Sequence, residues 1–170
     1  MAKWHIPIFR RRISVRRRSH IAFMLLPPVD ATRFLTAYKA MLETSAHRSL
    51  RGAHHYAEAR NVFFGNKKTL KNPPTADTEL LKALGTASFG QFMVCRHMAR
   101  GTEMVGPRYQ IFRVRGVTTE LRHLMDPWVI VRTAIMQFAG IWICDGLIQS
   151  DNIHIGPNMR KDLLAKIRVA

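Results

Sequence analysis

Residues 76–99 read ADTELLKALGTASFGQFMVCRHMA, and this stretch supplies the last of three helices that the sequence predicts. Thr75 or Asp77 is a candidate N-cap, and Gly101 ends the predicted helix. Mostly small side chains recur along one face of this helix, which would let a neighbour approach its axis closely. The face is formed by Ala83, Ala87, Gly90 and Val94. It either packs tightly against another helix or forms a slot for a slender apolar ligand.

Two more helices precede this one in the sequence. Residues 30–46 begin at the candidate N-cap Asp30 and place apolar side chains at the spacing of one helix face. These side chains are Phe34, Leu35, Tyr38, Met41 and Leu42. A second helix is predicted over residues 49–65, and a basic turn, NKKTLKNPP, follows it at residues 66–74. Because the connections are short, we predict an all-α fold with a three-helix antiparallel bundle over residues 30–100.

The segment before the predicted bundle is strongly basic. Residues 1–29 contain no acid and form an Arg-rich N-terminal arm. Its two arginine triplets are Arg10, Arg11, Arg12, Arg16, Arg17 and Arg18. An acid-free, Arg-rich start resembles a mitochondrial transit peptide. We predict either an arm that anchors the protein on a larger anionic assembly or a cleavable signal.

The segment after the bundle, residues 101–170, is predicted as a C-terminal extension. Short strands or an extended linker are expected first, followed by an apolar helix over about residues 127–148 and a short basic helix at the end. The apolar helix contains WVIVRTAIMQFAGIWIC at residues 128–144, a run of 17 residues that Arg132 interrupts. A membrane-spanning helix needs about 20 apolar residues. We therefore expect a helix buried against partner subunits near a membrane, with a spanning helix as the alternative.

The net charge of the chain limits the classes of molecule that it is expected to bind. The chain has 27 Lys and Arg residues against 11 Asp and Glu residues, a formal net charge of +16. Such an excess indicates a polyanionic partner, which is RNA, anionic lipid or a very acidic protein. The two cysteines are predicted to be buried thiols, and neither the Cys nor the His residues show ligand spacing, so no metal site is expected. No P-loop, GxSxG or HExxH motif is present, and no catalytic residue is predicted.

The three predicted helices, taken in order with their residues, resemble the LYR-motif family of small mitochondrial proteins. The family's Leu-Tyr-Arg triplet is represented by Ala37-Tyr38-Lys39, where Ala replaces Leu and Lys replaces Arg. A polar turn of the family is matched loosely by KNPPTAD. Matching positions on the second and third helices are Arg60, Phe63, Leu80, Leu81 and Gly85. The resemblance covers residues 30–100.

This resemblance implies a partner, the mitochondrial acyl carrier protein. That protein is acidic and carries a 4'-phosphopantetheine arm with an acyl chain, which would lie between the helices in the slot described above. The partner would thus supply the acyl chain, with no cofactor bound directly by this protein. The predicted carrier-binding residues are Tyr38, Lys39, Arg48, Arg51, Arg60, Phe63, Lys67 and Lys68.

Two functions follow from the resemblance and the charge. The first is a non-catalytic accessory subunit of respiratory complex I, on the matrix side of the inner mitochondrial membrane, that docks the acylated carrier protein. The R-x-x-F-x-x-N string at Arg60, Phe63 and Asn66 and the apolar C-terminal segment favour it. The alternative is a mitochondrial ribosome protein or ribosome assembly factor of LYR type that binds rRNA and the carrier. The net charge and the arginine triplets favour this second function.

Overall fold

The computed structural model describes residues 25–169 and shows a mixed α/β fold, so the predicted all-α bundle is wrong. The helices are α1 (Pro28–Ala46), α2 (Gly52–Gly65), α3 (Lys67–Lys71), α4 (Thr78–Thr86) and α5 (Pro157–Val169). The strands are β1 (Ser88–Met98), β2 (Gly101–Val105), β3 (Ile111–Val114), β4 (Val129–Phe138), β5 (Ile141–Cys144) and β6 (Gln149–His154). The arginine triplets of the predicted arm lie outside the described residues.

The predicted third helix is only partly helical. Asp77 caps α4, because its side chain accepts a hydrogen bond from the Leu80 amide at 2.9 Å. The helix ends at Thr86, and β1 follows directly, paired with β2 on one side and β4 on the other. The predicted slot residues therefore do not share a helix face: Ala83 lies in α4, Ala87 follows it, and Gly90 and Val94 lie in β1. The first half of β1 pairs with β4 and its second half with β2, and these hydrogen bonds favour the strand over the helix.

The predicted apolar helix over about residues 127–148 is also wrong. Its central part forms the β4–β5 hairpin, with Ala139 and Gly140 in the turn at φ values of 48° and 74°. This segment is rich in β-branched and aromatic residues, which pack well on a pleated sheet. Among residues 25–169, no helix is long and apolar enough to cross a membrane.

The six strands form one antiparallel sheet that curls into half a barrel. The strand order is β3-β2-β1-β4-β5, and β6 pairs with the first half of β4. The curl brings the end of β3 to β5, where the Arg115 amide donates to the Trp142 carbonyl at 2.9 Å and the Cys144 amide donates to the Arg115 carbonyl at 3.0 Å. This contact fixes the curvature that divides the core into an inner and an outer part.

Alternate residues of β4 pack in two different hydrophobic clusters, one on each face of the sheet. Val131 and Ile135 pack in an inner cluster with residues of β1, β2 and β3. Ala134, Met136 and Phe138 belong to an outer cluster, in which α1, α2 and α4 cover the sheet. The period of two along a strand explains this division. The sheet thus holds the helical layer in place.

Several local predictions are confirmed. The first predicted helix, residues 30–46, corresponds to α1, and the second, residues 49–65, corresponds to α2. The predicted N-cap is wrong, because α1 begins at Pro28 and Asp30 lies in its first turn. Of the two alternatives for residues 102–125, an extended linker or short strands, the structure has the short strands β2 and β3. The basic C-terminal helix corresponds to α5. Both cysteines are buried and free, as expected. These elements carry strong local signals, whereas the wrong elements depend on distant pairing.

Candidate nucleic-acid interface

A buried ion pair fastens the helical layer to the sheet. Arg60 of α2 and Asp145 after β5 both have fully buried side chains, and Arg60 Nη1 lies 3.3 Å from Asp145 Oδ2. The same guanidinium donates to the Leu147 carbonyl and to Gln149 Oε1, the latter at 3.2 Å. It also lies over the Phe89 ring, with Arg60 Cζ 5.2 Å from the centroid. Removal of either charge would leave the other buried and unpaired.

The carboxylate of Asp145 is fully engaged within this network. It accepts hydrogen bonds from the Tyr38 hydroxyl at 3.1 Å, from the Thr133 hydroxyl at 2.9 Å and from the Leu147 amide at 3.0 Å. Burial raises the pKa of Asp145, and the positive charge of Arg60 opposes that rise. Every buried side-chain nitrogen and oxygen in residues 25–169 has a hydrogen-bond partner. The network therefore offers no unsatisfied group to a substrate, and its effect is to position α1 and α2.

The buried cysteines do not provide a reactive group either. Burial raises the pKa of Cys144 to about 12 and that of Cys95 to about 11. Neither side chain is a thiolate at neutral pH, and the thiolate is the reactive form. Within the described residues, no group of three or more His, Cys, Asp and Glu side chains could hold a metal ion.

Three of the predicted carrier-binding residues lie in the interior. Tyr38, Arg60 and Phe63 are each at most 2% exposed. They stabilise the contact between helices and sheet and present no side chain to a partner in this structure. Binding of a carrier protein itself stays a prediction. The sequence could not reveal the partner of Arg60, because Asp145 lies 85 positions further along the chain.

The other five predicted carrier-binding residues are exposed, and one of them stands apart. Lys39 lies over the Tyr56 ring, with Nζ 5.9 Å from the centroid. The Tyr56 hydroxyl donates to Glu43 at 2.6 Å, and this hydrogen bond lowers the pKa of Glu43. Lys39 therefore has a carboxylate nearby that offsets its charge. The remaining four are Arg48, Arg51, Lys67 and Lys68.

These four cations, together with Lys71, form a surface that we call the basic corner. Arg48 and Arg51 lie on the connection between α1 and α2, and the three lysines lie on α3. An open cleft of about 620 Å³ joins the two groups, since Arg48 lines it together with Asn66 and Thr69 at the start of α3. The Asn66 side chain accepts a hydrogen bond from the Lys68 amide at 3.0 Å and so begins α3 at this point.

The basic corner has one acid beside it, since Glu58 lines the same cleft as Arg48 and its Oε1 lies 3.0 Å from His54 Nε2. None of its five side chains forms an ion pair with any residue in 25–169, and residues 1–24 contain no acid. Other cations of the described chain do have acid partners, as in the pairs Arg33–Asp77 and Lys82–Glu79. Sequence reasoning identified four of the five cations and missed Lys71. The signal for α3 was Asn66 directly before KKTLK, a capping pattern within the predicted turn.

Further exposed cations lie away from the basic corner. Arg113 lies on β3, Arg132 on β4 and Lys161 on α5, and none of them forms an ion pair with another described residue. Arg132 stands between Gln91 of β1 and Gln149 of β6 in the sheet register. Positive charge is therefore spread over the helical layer, the sheet and the C-terminal helix.

Comparison of the chain with protein-family models, curated proteins and solved structures found no match.

Proposed function

We propose that this protein binds RNA through the basic corner and acts as a non-catalytic component of a ribonucleoprotein particle. The observation that carries the proposal is the group of five exposed, unpaired cations on α3 and on the connection before α2. Contacts between such cations and phosphates release counterions, which supplies most of the sequence-independent affinity for nucleic acid. Among the two functions that the sequence suggested, this is the ribosome-related one.

The distribution of charge favours RNA over the other polyanions. A bilayer presents a flat surface, and a protein that lies on it combines cations with an apolar face on the same side. Here the unpaired cations occupy several different elements of the fold, among them α3, β4 and α5. A folded RNA can contact several faces of a small protein at once. An acidic protein would need several separate acidic surfaces to do the same.

The proposal of a complex I subunit has lost part of its basis. It drew on the R-x-x-F-x-x-N string, of which Arg60 and Phe63 are buried, and on an apolar C-terminal helix, in whose place the structure has β4 and β5. Docking of an acylated carrier protein, a place in complex I and the mitochondrial location stay predictions. Fractionation of mitochondria with and without ribonuclease would separate these assemblies, because only a ribonucleoprotein would release the chain after treatment.

RNA binding by the basic corner can be tested with two variants of equal charge. The first carries Lys67→Gln, Lys68→Gln and Lys71→Gln, which neutralise the unpaired lysines of α3. The control carries Arg33→Gln, Lys82→Gln and Arg122→Gln, whose cations each have an acid partner. Affinity for a fluorescent single-stranded RNA is measured by anisotropy at several salt concentrations.

We expect the α3 variant to bind more weakly and with a shallower salt dependence. The slope of log K against log salt should decrease in magnitude by about 0.7 for each phosphate that the variant no longer binds. The control should stay close to the unmodified protein, because its cations are already neutralised by neighbours. Equal reductions of affinity in the two variants, or no RNA binding by the unmodified protein at low salt, would refute the proposal.

A further inference from the structure

A second cleft lies on the outer face of the sheet, the same face that the helical layer covers, next to α5 and the start of β4. It has a volume of about 670 Å³, within the range of ligand-binding clefts. Trp128 and Pro127 form one wall, and Val105 and Ile111 contribute apolar surface from β2 and β3. Leu164 of α5 closes another side. We call it the outer cleft, and we propose that it binds an unstacked base of single-stranded RNA. This inference rests on the proposed function.

The indole of Trp128 is held rigidly in the outer cleft. Its amide donates to the Val94 carbonyl at 2.6 Å, and its carbonyl accepts from the Ile155 amide at 2.8 Å. The backbone of Trp128 has φ of 65°, a left-handed conformation that is strained for a bulky residue. Arg160 lies over the ring, with Cζ 5.1 Å from the centroid, and donates to the Ile155 carbonyl at 2.7 Å. Strained residues that are fixed in this way concentrate at binding sites.

The chemistry of the outer cleft suits a nucleobase. Proteins recognise unpaired bases by stacking on aromatic rings or guanidinium planes and by hydrogen bonds to the base edge. Trp128 supplies the ring, to which a base would stack on the face that Arg160 does not cover. The Arg96–Glu103 ion pair supplies donors and acceptors at the edge of the cleft. The Arg96 side chain is 66% exposed, so its guanidinium is open to a ligand. Two apolar side chains of the cleft, Ile111 and Leu164, are exposed to water at 47% and 41%.

Cations around the outer cleft could contact the phosphates of a single-stranded RNA. Arg113 lies directly opposite Glu103 in the pairing of β2 with β3, next to the cleft. Lys161 is exposed one residue after Arg160 on α5. The acids Asp126 and Asp162 are also nearby in the sequence, but neither lines the cleft. This charge favours a base carried on a phosphate backbone over an apolar side chain of an acidic or neutral protein.

The test compares two RNA probes and two variants. One probe is a single-stranded oligouridylate, and the other is an oligomer of the same length with the same phosphates and abasic riboses. Ile111→Glu places a charge in the outer cleft, and Leu124→Glu is its control. The two side chains are equally exposed, at 47% and 46%, and Leu124 does not line the cleft. The ratio of affinities for the two probes removes the effect of the added charge on phosphate binding.

We expect the unmodified protein to bind the oligouridylate more tightly than the abasic probe by about 5- to 150-fold, the range for one stacked base. Ile111→Glu should abolish this preference, and Leu124→Glu should keep it. If the preference is absent, or survives in Ile111→Glu, the base-binding inference is wrong. In that case, equal binding of both probes by the unmodified protein would still support phosphate binding by the basic corner. Failure of both probes to bind would refute the proposed function itself.

A second measurement uses the fluorescence of Trp128. The variant Trp4→Phe/Trp142→Phe leaves Trp128 as the one tryptophan of the chain. The oligouridylate should quench its emission, because a stacked base contacts the indole, and the abasic probe should not. Identical emission changes with the two probes would overturn the inference.

Discussion

At the scale of single residues, the Arg60–Asp145 pair is the feature on which the helical layer depends most. It joins α2 to the end of β5, and Tyr38 and Thr133 bring α1 and β4 into the same network. A buried pair is not a large net source of stability, because both charges lose their hydration. Breaking it is nevertheless costly, since one charge then stays buried without a partner.

The first prediction concerns the cost of leaving one charge of the pair buried without its partner. Arg60→Met should lower the free energy of unfolding by about 3–5 kcal/mol, measured by urea denaturation. Arg48→Met, which removes an exposed cation, should change it by no more than about 0.5 kcal/mol. The double variant Arg60→Met/Asp145→Asn should regain part of the stability, because no unpaired charge remains. Similar stabilities for Arg60→Met and Arg48→Met would contradict the structural role of the pair.

The second prediction concerns His97, which links the β1–β2 hairpin to the segment before β4. Its Nε2 lies 2.9 Å from the Met125 carbonyl, and its Nδ1 lies 2.8 Å from the Thr102 hydroxyl. Burial lowers the pKa of His97 below its usual value of 6.5. The unfolded chain therefore binds a proton more readily than the folded one, so this residue contributes full stability above about pH 6.5 and loses it as the pH falls further.

His97→Gln should therefore make the stability less dependent on pH. We expect the free energy of unfolding to fall less between pH 7 and pH 5 in this variant than in the unmodified protein. His54→Gln, at a highly exposed position of α2, serves as the control. If both variants lose stability as steeply as the unmodified protein, His97 does not account for the acid sensitivity.

At the scale of secondary structure, the longest apolar segment, residues 128–144, folds as the β4–β5 hairpin. Its two-residue turn has positive φ at both Ala139 and Gly140. That is the geometry of a type I′ turn, for which Asn-Gly is strongly preferred. Ala at the first position carries the steric cost of a left-handed conformation, about 1–2 kcal/mol.

The third prediction is that Ala139→Asn stabilises the protein. Because Asn tolerates this conformation better than Ala, we expect the free energy of unfolding to rise by up to about 1 kcal/mol. Ala99→Asn, at an exposed position in the β1–β2 turn without positive φ, should have little effect. A lower stability in Ala139→Asn alone would show that the turn differs from the one described.

At the scale of the whole molecule, we expect the net positive charge to determine most of the affinity for RNA. Residues 1–24 contribute seven cations and no acid, so a chain without them would fall from +16 to +9. The basic corner would remain intact. The arm and the corner should therefore make separate contributions to RNA affinity.

The fourth prediction is that deletion of residues 1–24 weakens RNA binding without abolishing it. We expect a salt dependence that is shallower by about 0.7 for each phosphate that the arm had bound, and an unchanged preference for the oligouridylate over the abasic probe. Anisotropy titrations of the truncated chain at several salt concentrations measure both quantities. Complete loss of binding would mean that the basic corner contributes nothing.

The sequence by itself determined the features that arise from neighbours along the chain. The sequence predicted the C-terminal ends of α1 and α2, a cap at Thr75 or Asp77, the final basic helix and the excess of cations. Helical periodicity and caps depend on residues within about four positions, so no distant contact is needed to predict them. For the candidate site, this was enough to identify Arg48, Arg51, Lys67 and Lys68.

Only the tertiary structure decided which apolar segments became strands and which cations stayed exposed. β1 needs β4, which begins about 40 residues after it, and a short apolar run is ambiguous between helix and strand until that partner is known. In the same way, the sequence predicted Arg60 and Lys67 alike as cations that bind a carrier protein. Arg60 is buried because the curl of the sheet brings Asp145 beneath it, while α3 holds Lys67 in solvent. The physical reason is that burial and strand pairing depend on residues that are close in space. Because these residues are far apart along the chain, they leave no local pattern in the sequence.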